Sequence, residues 1–355
     1  MTIGELLGIM EEKGASDLYL KADTPPTYRI EGETYSIGEK INETEMENLA
    51  NSIMNEEQRR SFTQTHEMNL AYAIPGVGRY RCNLYHQRGS IGIVFRRVKL
   101  EIPLVKELNL PSILNDLVLE PRGLILVTGS TGSGKSTTLA AMLGYRNIMK
   151  TGHIITIEDP IEFVHYDKKS IVSQREVGID TGSFAEALKN TLRQTPDVIL
   201  IGEIRDTESV SSAIYFAETG HLVMSTLHST NANQTLERIL QFYPTGMHEQ
   251  ILLQLSFNLR GIISQRLLPK ADGKGRIVAV EIMISTPRIK ELIRKGEIGK
   301  IKDSIANGTQ EGMQTFDQSL YHLYQQNLVT IDDALTAADS PHDLKMRIRG
   351  FNYRR

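Results

Sequence analysis

Four short apolar runs, GLILVT from Gly123, HIITI from His153, DVILI from Asp197 and HLVMST from His221, are separated by stretches of helical character. Uninterrupted apolar runs of this length belong to strands buried on both faces, and their alternation with helices is the pattern of βαβ units in a parallel sheet. This feature fixes the class of the chain beyond Pro121 as α/β, with helices on both sides of a central parallel sheet.

Upstream the pattern is different. In TIGELLGIMEEKGA the residues Ile3, Leu6, Leu7 and Met10 recur at helical spacing, with Thr2 as N-cap and Gly14 as stop. The pieces SDLYLKA, PTYRIEGETYSI and GRYRCNLYHQRGSIGIVFRRV read as strands, and TEMENLANSIMNEEQRRSFTQ between them reads as helix. We expect a small α+β domain over 1–98, a linker over 99–120 that packs around Pro103, Pro111 and Pro121, and the α/β domain with C-terminal helices over 121–355. A length of 355 residues suits two domains.

Composition excludes several classes. With 40% hydrophobic and 23% charged residues the chain has the make-up of an ordinary globular protein. A net charge of −3 gives no support to a nucleic-acid partner, which calls for a basic face. Cys82 is the single cysteine, so no intramolecular disulfide and no CxxC zinc site can form, and it reads as a small core residue. No stretch reaches the roughly 18 apolar residues of a membrane helix, and the acidic start lacks the form of a signal peptide. We therefore expect a cytoplasmic protein without membrane insertion.

The first apolar run leads into GSTGSGKST, which holds Gly129, Ser130, Thr131, Gly132, Ser133, Gly134, Lys135, Ser136 and Thr137. This satisfies GxxxxGK[ST] between a strand and a helix, the context in which the pattern cradles phosphates. Glycines let successive N–H groups turn inward, and the helix N-terminus adds partial positive charge. Lys135 is expected on the β- and γ-phosphates and Ser136 on Mg²⁺.

Hydrolysis also needs a group that orients or deprotonates water. Glu158, Asp159 and Glu162 lie just beyond the second run and Glu203 just beyond the third, on the sheet edge where ligands of parallel sheets bind. His228 follows the fourth run on that edge, a position suited to sensing a γ-phosphate, whereas His221 stands at the run's start. Asp206 reads as the N-cap of a helix over TESVSSAIYFAET that Gly220 ends.

The stretch LRQTPDVILIGEIRD, Leu192 to Asp206, fits at every specified position the signature of the type II secretion and type IV pilus ATPases. IITIEDPIE resembles that family's aspartate box, GHLVMSTLHSTNA its histidine box, and ASDLYLKADTPPTYRIEG the opening of its N-terminal domain. Within the family the chain resembles retraction ATPases of the PilT and PilU kind, more closely PilU, from LKNTLRQTPDVILIGEIRD and LERILQFYP. It departs from the retraction pattern twice: RIKELI, Arg288 to Ile293, stands where AIRNLI is usual, and Lys189 where an arginine is usual.

The resemblance implies a RecA-like P-loop domain with a parallel-rich sheet behind a smaller PAS-like α+β domain. It implies ATP and Mg²⁺ as cofactors, Ser136 and Glu203 near the metal with Glu203 as the Walker B acid, and Glu162 as the group that activates water. Arg193, Arg205 and Arg238 become candidates for phosphate-facing or coupling roles, with Arg81 behind them. The expected function is a hexameric ATPase that powers pilus retraction and twitching motility, at the inner face of the cytoplasmic membrane. Its expected partners are other copies of itself, an inner-membrane pilus platform protein and a second PilT-like ATPase. An alternative is a ring component that binds and assists another retraction ATPase with little hydrolysis of its own. A nucleic-acid translocase is a third reading, which the charge disfavours.

Overall fold

The computed structural model describes residues 1–75, 77–98 and 101–350. The chain groups into two compact units. One holds Met1–Glu101, Ile161–Val164 and Gly178–Asp180, and the other Ile102–Pro160, His165–Val177 and the chain from Thr181 onward.

The first unit opens with α1 (Ile3–Glu12), fixed by a capping box in which Thr2 and Glu5 exchange hydrogen bonds. Strands β1 (Asp17–Lys21), β2 (Thr27–Ile30) and β3 (Glu33–Ser36) follow, then helices α2 (Glu43–Ile53) and α3 (Glu56–Thr65). The stretch expected as one helix is two, because Asn55 caps Gln58 and starts a new helix just after Met54 turns extended. Strands β4 (Glu67–Ile74), β5 (Gly78–Gln87) and β6 (Ser90–Arg97) complete an antiparallel sheet of order β3-β2-β1-β6-β5-β4. Leu6, Leu7 and Met10 of α1 pack with Leu18, Tyr28, Tyr80 and Phe95 in its core. Cys82 is buried there, and desolvation pushes its thiol well above the usual range, which keeps it inert.

The second unit begins within the expected linker. Lys99 and Leu100 lie outside the described residues, but Val105, Leu110, Leu114, Leu117 and Val118 share one core with Ile125 and Val127. From Ile102 the apolar side chains around the prolines are thus part of the larger unit. Its elements are α4 (Ile113–Val118), β7 (Gly123–Gly129), α5 (Lys135–Met149), β8 (Gly152–Glu158), β9 (Ser170–Glu176), α6 (Phe184–Thr191), β10 (Val198–Ile201), α7 (Thr207–Glu218), β11 (Leu222–Leu227) and α8 (Ala232–Gln241). They are followed by α9 (His248–Asn258), β12 (Leu259–Pro269), β13 (Arg276–Ile284), α10 (Pro287–Arg294), α11 (Ile301–Asn307), α12 (Phe316–Gln325), α13 (Ile331–Ala337) and α14 (Pro341–Ile348). The last five residues of the expected 121–355 domain lie outside the described residues.

The sheet runs β13-β12-β7-β11-β10-β8-β9, and every pairing is parallel except β12 with β13. Alternation splits each strand between two cores. Leu124 and Leu126 face α7, α8, α9 and α10, whereas Ile125 and Val127 face α4 and α5. The parallel-rich α/β class read from the four runs is the class found. Among the described residues no helix is long and apolar enough to cross a membrane.

Candidate nucleotide site

The phosphate loop turns between β7 and α5 on glycines that no other residue could replace without strain. Gly129 has φ +147, and a Cβ there would lie 2.4 Å from Ser133 Oγ and 2.7 Å from the Gln265 carbonyl. Gly132 (φ +77) and Gly134 (φ +93) hold left-handed backbone with open space where a Cβ would stand. Helix α5 starts at Gly134 without a side-chain cap, which leaves its first N–H donors for another acceptor. The Ser133 hydroxyl is buried without a hydrogen-bond partner among the described residues. Lys135, only 9% exposed, folds back and donates from Nζ to the carbonyls of Gly129 and Ser130, each at 2.9 Å. Ser130, Thr131, Ser136 and Thr137 are exposed or half-buried around the turn. Uncapped amides, a tethered ammonium and a spare hydroxyl form a donor set that fits a polyphosphate.

Gln265, which motif reading passed over, supports the loop from below by donating from Nε2 to Thr138 Oγ1 at 2.7 Å, with both side chains buried. Its signal in the sequence is a lone amide inside the apolar run LRGIISQRLLP.

Glu203 stands at the same sheet edge. Gly202 donates to the Ile157 carbonyl at 2.8 Å and Ile204 to the Thr226 carbonyl at 2.9 Å, so the β10 backbone stays between its neighbours past the strand's end. Extending the register puts Glu203 level with Leu227 and Thr128, two strand spacings or about 10 Å along the sheet from β7. Its carboxylate, 21% exposed, meets Arg205 Nε at 2.8 Å through Oε2 and His228 Nε2 at 3.2 Å through Oε1. Arg205 also donates to Asp159 at 3.2 Å, and these partners, Glu203 first, hold its guanidinium above its ordinary range.

The other candidates make different contacts. Glu158 turns toward β9, accepting from Thr156 Oγ1 at 2.7 Å and Gln174 Nε2 at 3.1 Å. Glu162 is exposed, has no hydrogen bond or ion pair among the described residues, and groups with the first unit, whereas the phosphate loop and Glu203 group with the second. Arg81 of the first unit anchors that neighbourhood by donating to the Ile161 carbonyl at 2.9 and 3.2 Å. Arg193 is exposed on the turn Leu192–Gln194, where the Gln194 carbonyl meets His153 at the start of β8. That is the sheet edge opposite the phosphate loop. Arg238 lies exposed in the last turn of α8, hydrogen-bonded to Gln241 and over the Phe242 ring. The structure thus brings together Glu203, Arg205 and His228, and leaves Arg193 and Arg238 outside that cluster. His221 faces the end of α7, within 3.1 Å of the Phe216 carbonyl. Asp206 caps α7 through Ser209, and the bond to the Ser209 amide is the leading cause of its lowered pKa.

Among the described residues no group of three or more His, Cys, Asp or Glu could hold a metal unaided. Ser136 and Glu203 are the two side chains that the sequence reading assigns to a divalent cation.

A strand, a GxxxxGKS turn and an uncapped helix at the carboxyl edge of a parallel-rich sheet define a P-loop nucleotide-binding protein. The model of the family described as type II/IV secretion system protein matches residues 104–334, and the chain belongs to that family. It is 49% identical over 98% of its length to the type IV pilus ATPase PilU of Pseudomonas aeruginosa, covering 92% of that protein. It is 43% identical over 97% of its length to the type IV pilus retraction ATPase PilT of the same organism, covering all of it. The crystal structure of the pilus retraction motor PilT with bound ADP superposes with a TM-score of 0.91 at 45% identity, over 97% of this chain and 99% of that one.

Proposed function

We propose that this protein is a Mg²⁺-dependent ATP hydrolase of the PilT/PilU kind that powers retraction of type IV pili. The observation that carries the reading is the pairing of Glu203 with His228 and Arg205 on the edge that also carries the phosphate loop.

In this reading the α5 amides take the phosphate oxygens and Lys135 exchanges its two loop carbonyls for the β- and γ-phosphates. Ser136 and Glu203 hold Mg²⁺, which supplies neutralisation of phosphate charge when bound. His228, in contact with Glu203, reports whether a γ-phosphate is present. Glu162 orients the attacking water. Arg205 faces the site of its own chain. Arg193 lies on the opposite edge of the sheet and Arg238 on an exposed helix face, so both act across subunit boundaries in a hexameric ring. The ring works on an inner-membrane platform protein from the cytoplasmic side.

Lys135→Ala is expected to abolish binding of a fluorescent ATP analogue. Glu203→Ala is expected to keep binding and lower kcat at least 100-fold. Normal turnover by the Glu203→Ala protein would overturn the assignment.

A second reading is favoured by α10. The positions at which RIKELI departs from AIRNLI, Arg288, Lys290 and Glu291, are on the solvent side, and Arg288 pairs with Glu291 at 3.2 Å. Ile289, Leu292 and Ile293, shared with the usual motif, are fully buried. An altered surface on an intact core suits a ring that assists another retraction ATPase. If so, Lys135→Ala protein still supports twitching in cells that carry an active partner.

A further inference from the structure

Helix α8 is tied to the phosphate-loop strand by a route that the proposed chemistry does not use. Thr128, the residue before Gly129, pairs across the sheet with Ser264 of β12, and Ser264 pairs with Glu281 of β13. Being cross-strand partners, the three side chains stand in one row on the α8 face, above Leu126, Ile262 and Met283. Thr128 and Ser264 are fully buried and Glu281 is 2% exposed. Thr128 Oγ1 donates to Ser264 Oγ at 3.1 Å, and Ser264 Oγ lies 3.5 Å from Glu281 Oε1. The same carboxylate oxygen accepts the backbone N–H of Ala232, the first residue of α8, at 2.7 Å.

The path of the chain gives this row its meaning. Leu227 ends β11 in register with Thr128. Within five residues the backbone is held at Ala232 by a carboxylate on β13, three strands away from β11. The segment from His228 to Asn231 is therefore held at both ends by the strand row beneath it. It is also stiff, because Ser229 Oγ meets Thr235 Oγ1 at 2.7 Å and Asn231 caps Gln234. A shift of α8's first turn must carry Ser229, and with it His228 against Glu203.

We propose that Glu281 is a positioning residue: through Ser264 and Thr128 it couples the occupancy of the phosphate loop to the placement of His228. A carboxylate buried in an apolar strand is costly to desolvate, and it has a use here that an apolar residue could not supply, since it accepts from a helix N-terminus and a hydroxyl together. Arg266 and Lys302 face it from β12 and α11, and Asp339 from the segment before α14.

The proposal rests on the nucleotide-site reading, so its test must not depend on turnover. Hydrogen exchange of the full chain would be followed with and without Mg-ADP and a non-hydrolysable ATP analogue. Nucleotide is expected to slow exchange at least threefold in 129–137 and also in 228–236. In Ser264→Ala and Thr128→Val the first effect should persist and the second fall by more than half. Glu281→Gln, which keeps an acceptor for the Ala232 N–H, should transmit as the wild type does, and Glu281→Ala should not. Where turnover is measurable, Ser264→Ala should lower kcat at least fivefold with nucleotide Kd unchanged within threefold. A wild-type response confined to 129–137, or full transmission in both Ser264→Ala and Thr128→Val, overturns the coupling. A chain that binds nucleotide without turning it over defeats the motor reading instead, and the exchange data still decide this one.

Discussion

Gly202 has almost no space around it. A Cβ there would stand 3.1 Å from the Ile157 carbonyl oxygen and 3.3 Å from the Glu158 Cα, both backbone atoms of β8 that cannot rotate away. Gly202→Ala should push the end of β10 off β8, cost about 1–3 kcal/mol by overpacking, and displace the next residue, Glu203. The expected signature is a lowered urea midpoint together with a loss of kcat larger than the loss of nucleotide affinity; equal stability and activity would show that the strand yields. The glycine and the glutamate were both legible, as a turn after a buried run. Their partners were not, because the contact of Glu203 with His228 depends on β10 and β11 being adjacent. Glu162 was legible as an acid after an apolar run, but the grouping of its short segment with the N-terminal unit was not, because that depends on contacts far apart in the sequence.

At the scale of elements, burial decided legibility. Strands β7, β8, β10 and β11 are covered on both faces and spell themselves as apolar runs. Edge strand β9 has a half-exposed middle, SIVSQRE, and gave no such signal. The hairpin of β12 and β13 is long and largely buried, yet the polar Ser264, Gln265 and Glu281 break its apolar runs, and it was not read from the sequence. Burial pushes the Glu281 carboxyl up to about 7, chiefly by desolvation, against the lowering bond from Ala232. Between about pH 4.5 and 7 the unfolded chain loses this proton first and the folded chain retains it. Stability should therefore fall as pH rises through that window, by up to about 3 kcal/mol for this group. The difference in urea midpoint between Glu281→Gln and wild type should widen in favour of the variant from pH 4.5 to 7; a constant difference would contradict the burial argument.

Across the whole molecule, where the chain groups into two compact units, the change of pattern near Pro121 pointed to an α/β domain beyond it. It could not reveal that Ile102–Glu120 packs into the larger one, since prolines hide helical spacing. The C-terminal helices are fastened to the sheet at Asp339. It accepts from Arg266 at 2.6 Å and Lys302 at 2.8 Å, and Arg266 also stacks on Phe316. Burial pushes the Asp339 carboxyl up, but the bonds from Lys302 and Arg266 outweigh it and leave it lowered. Its contribution is present above the unfolded value near 3.9 and is lost as pH falls through the folded one. Asp339→Asn should cost roughly 2–3 kcal/mol at pH 7, discounted for the part-exposed Lys302, and the deficit should shrink below pH 4.

Around Asp339, Leu268 and Ile277 of the edge hairpin β12–β13 are roofed by Phe316, Leu320, Val329, Ala334 and Leu344. A nonsense codon at Gln326 would spare every nucleotide-facing side chain yet strip Val329, Ala334 and Leu344 from that roof. Such an allele should therefore score as a null, its product cleared by proteases, and steady-state protein levels on a blot would reveal it before any motility assay did.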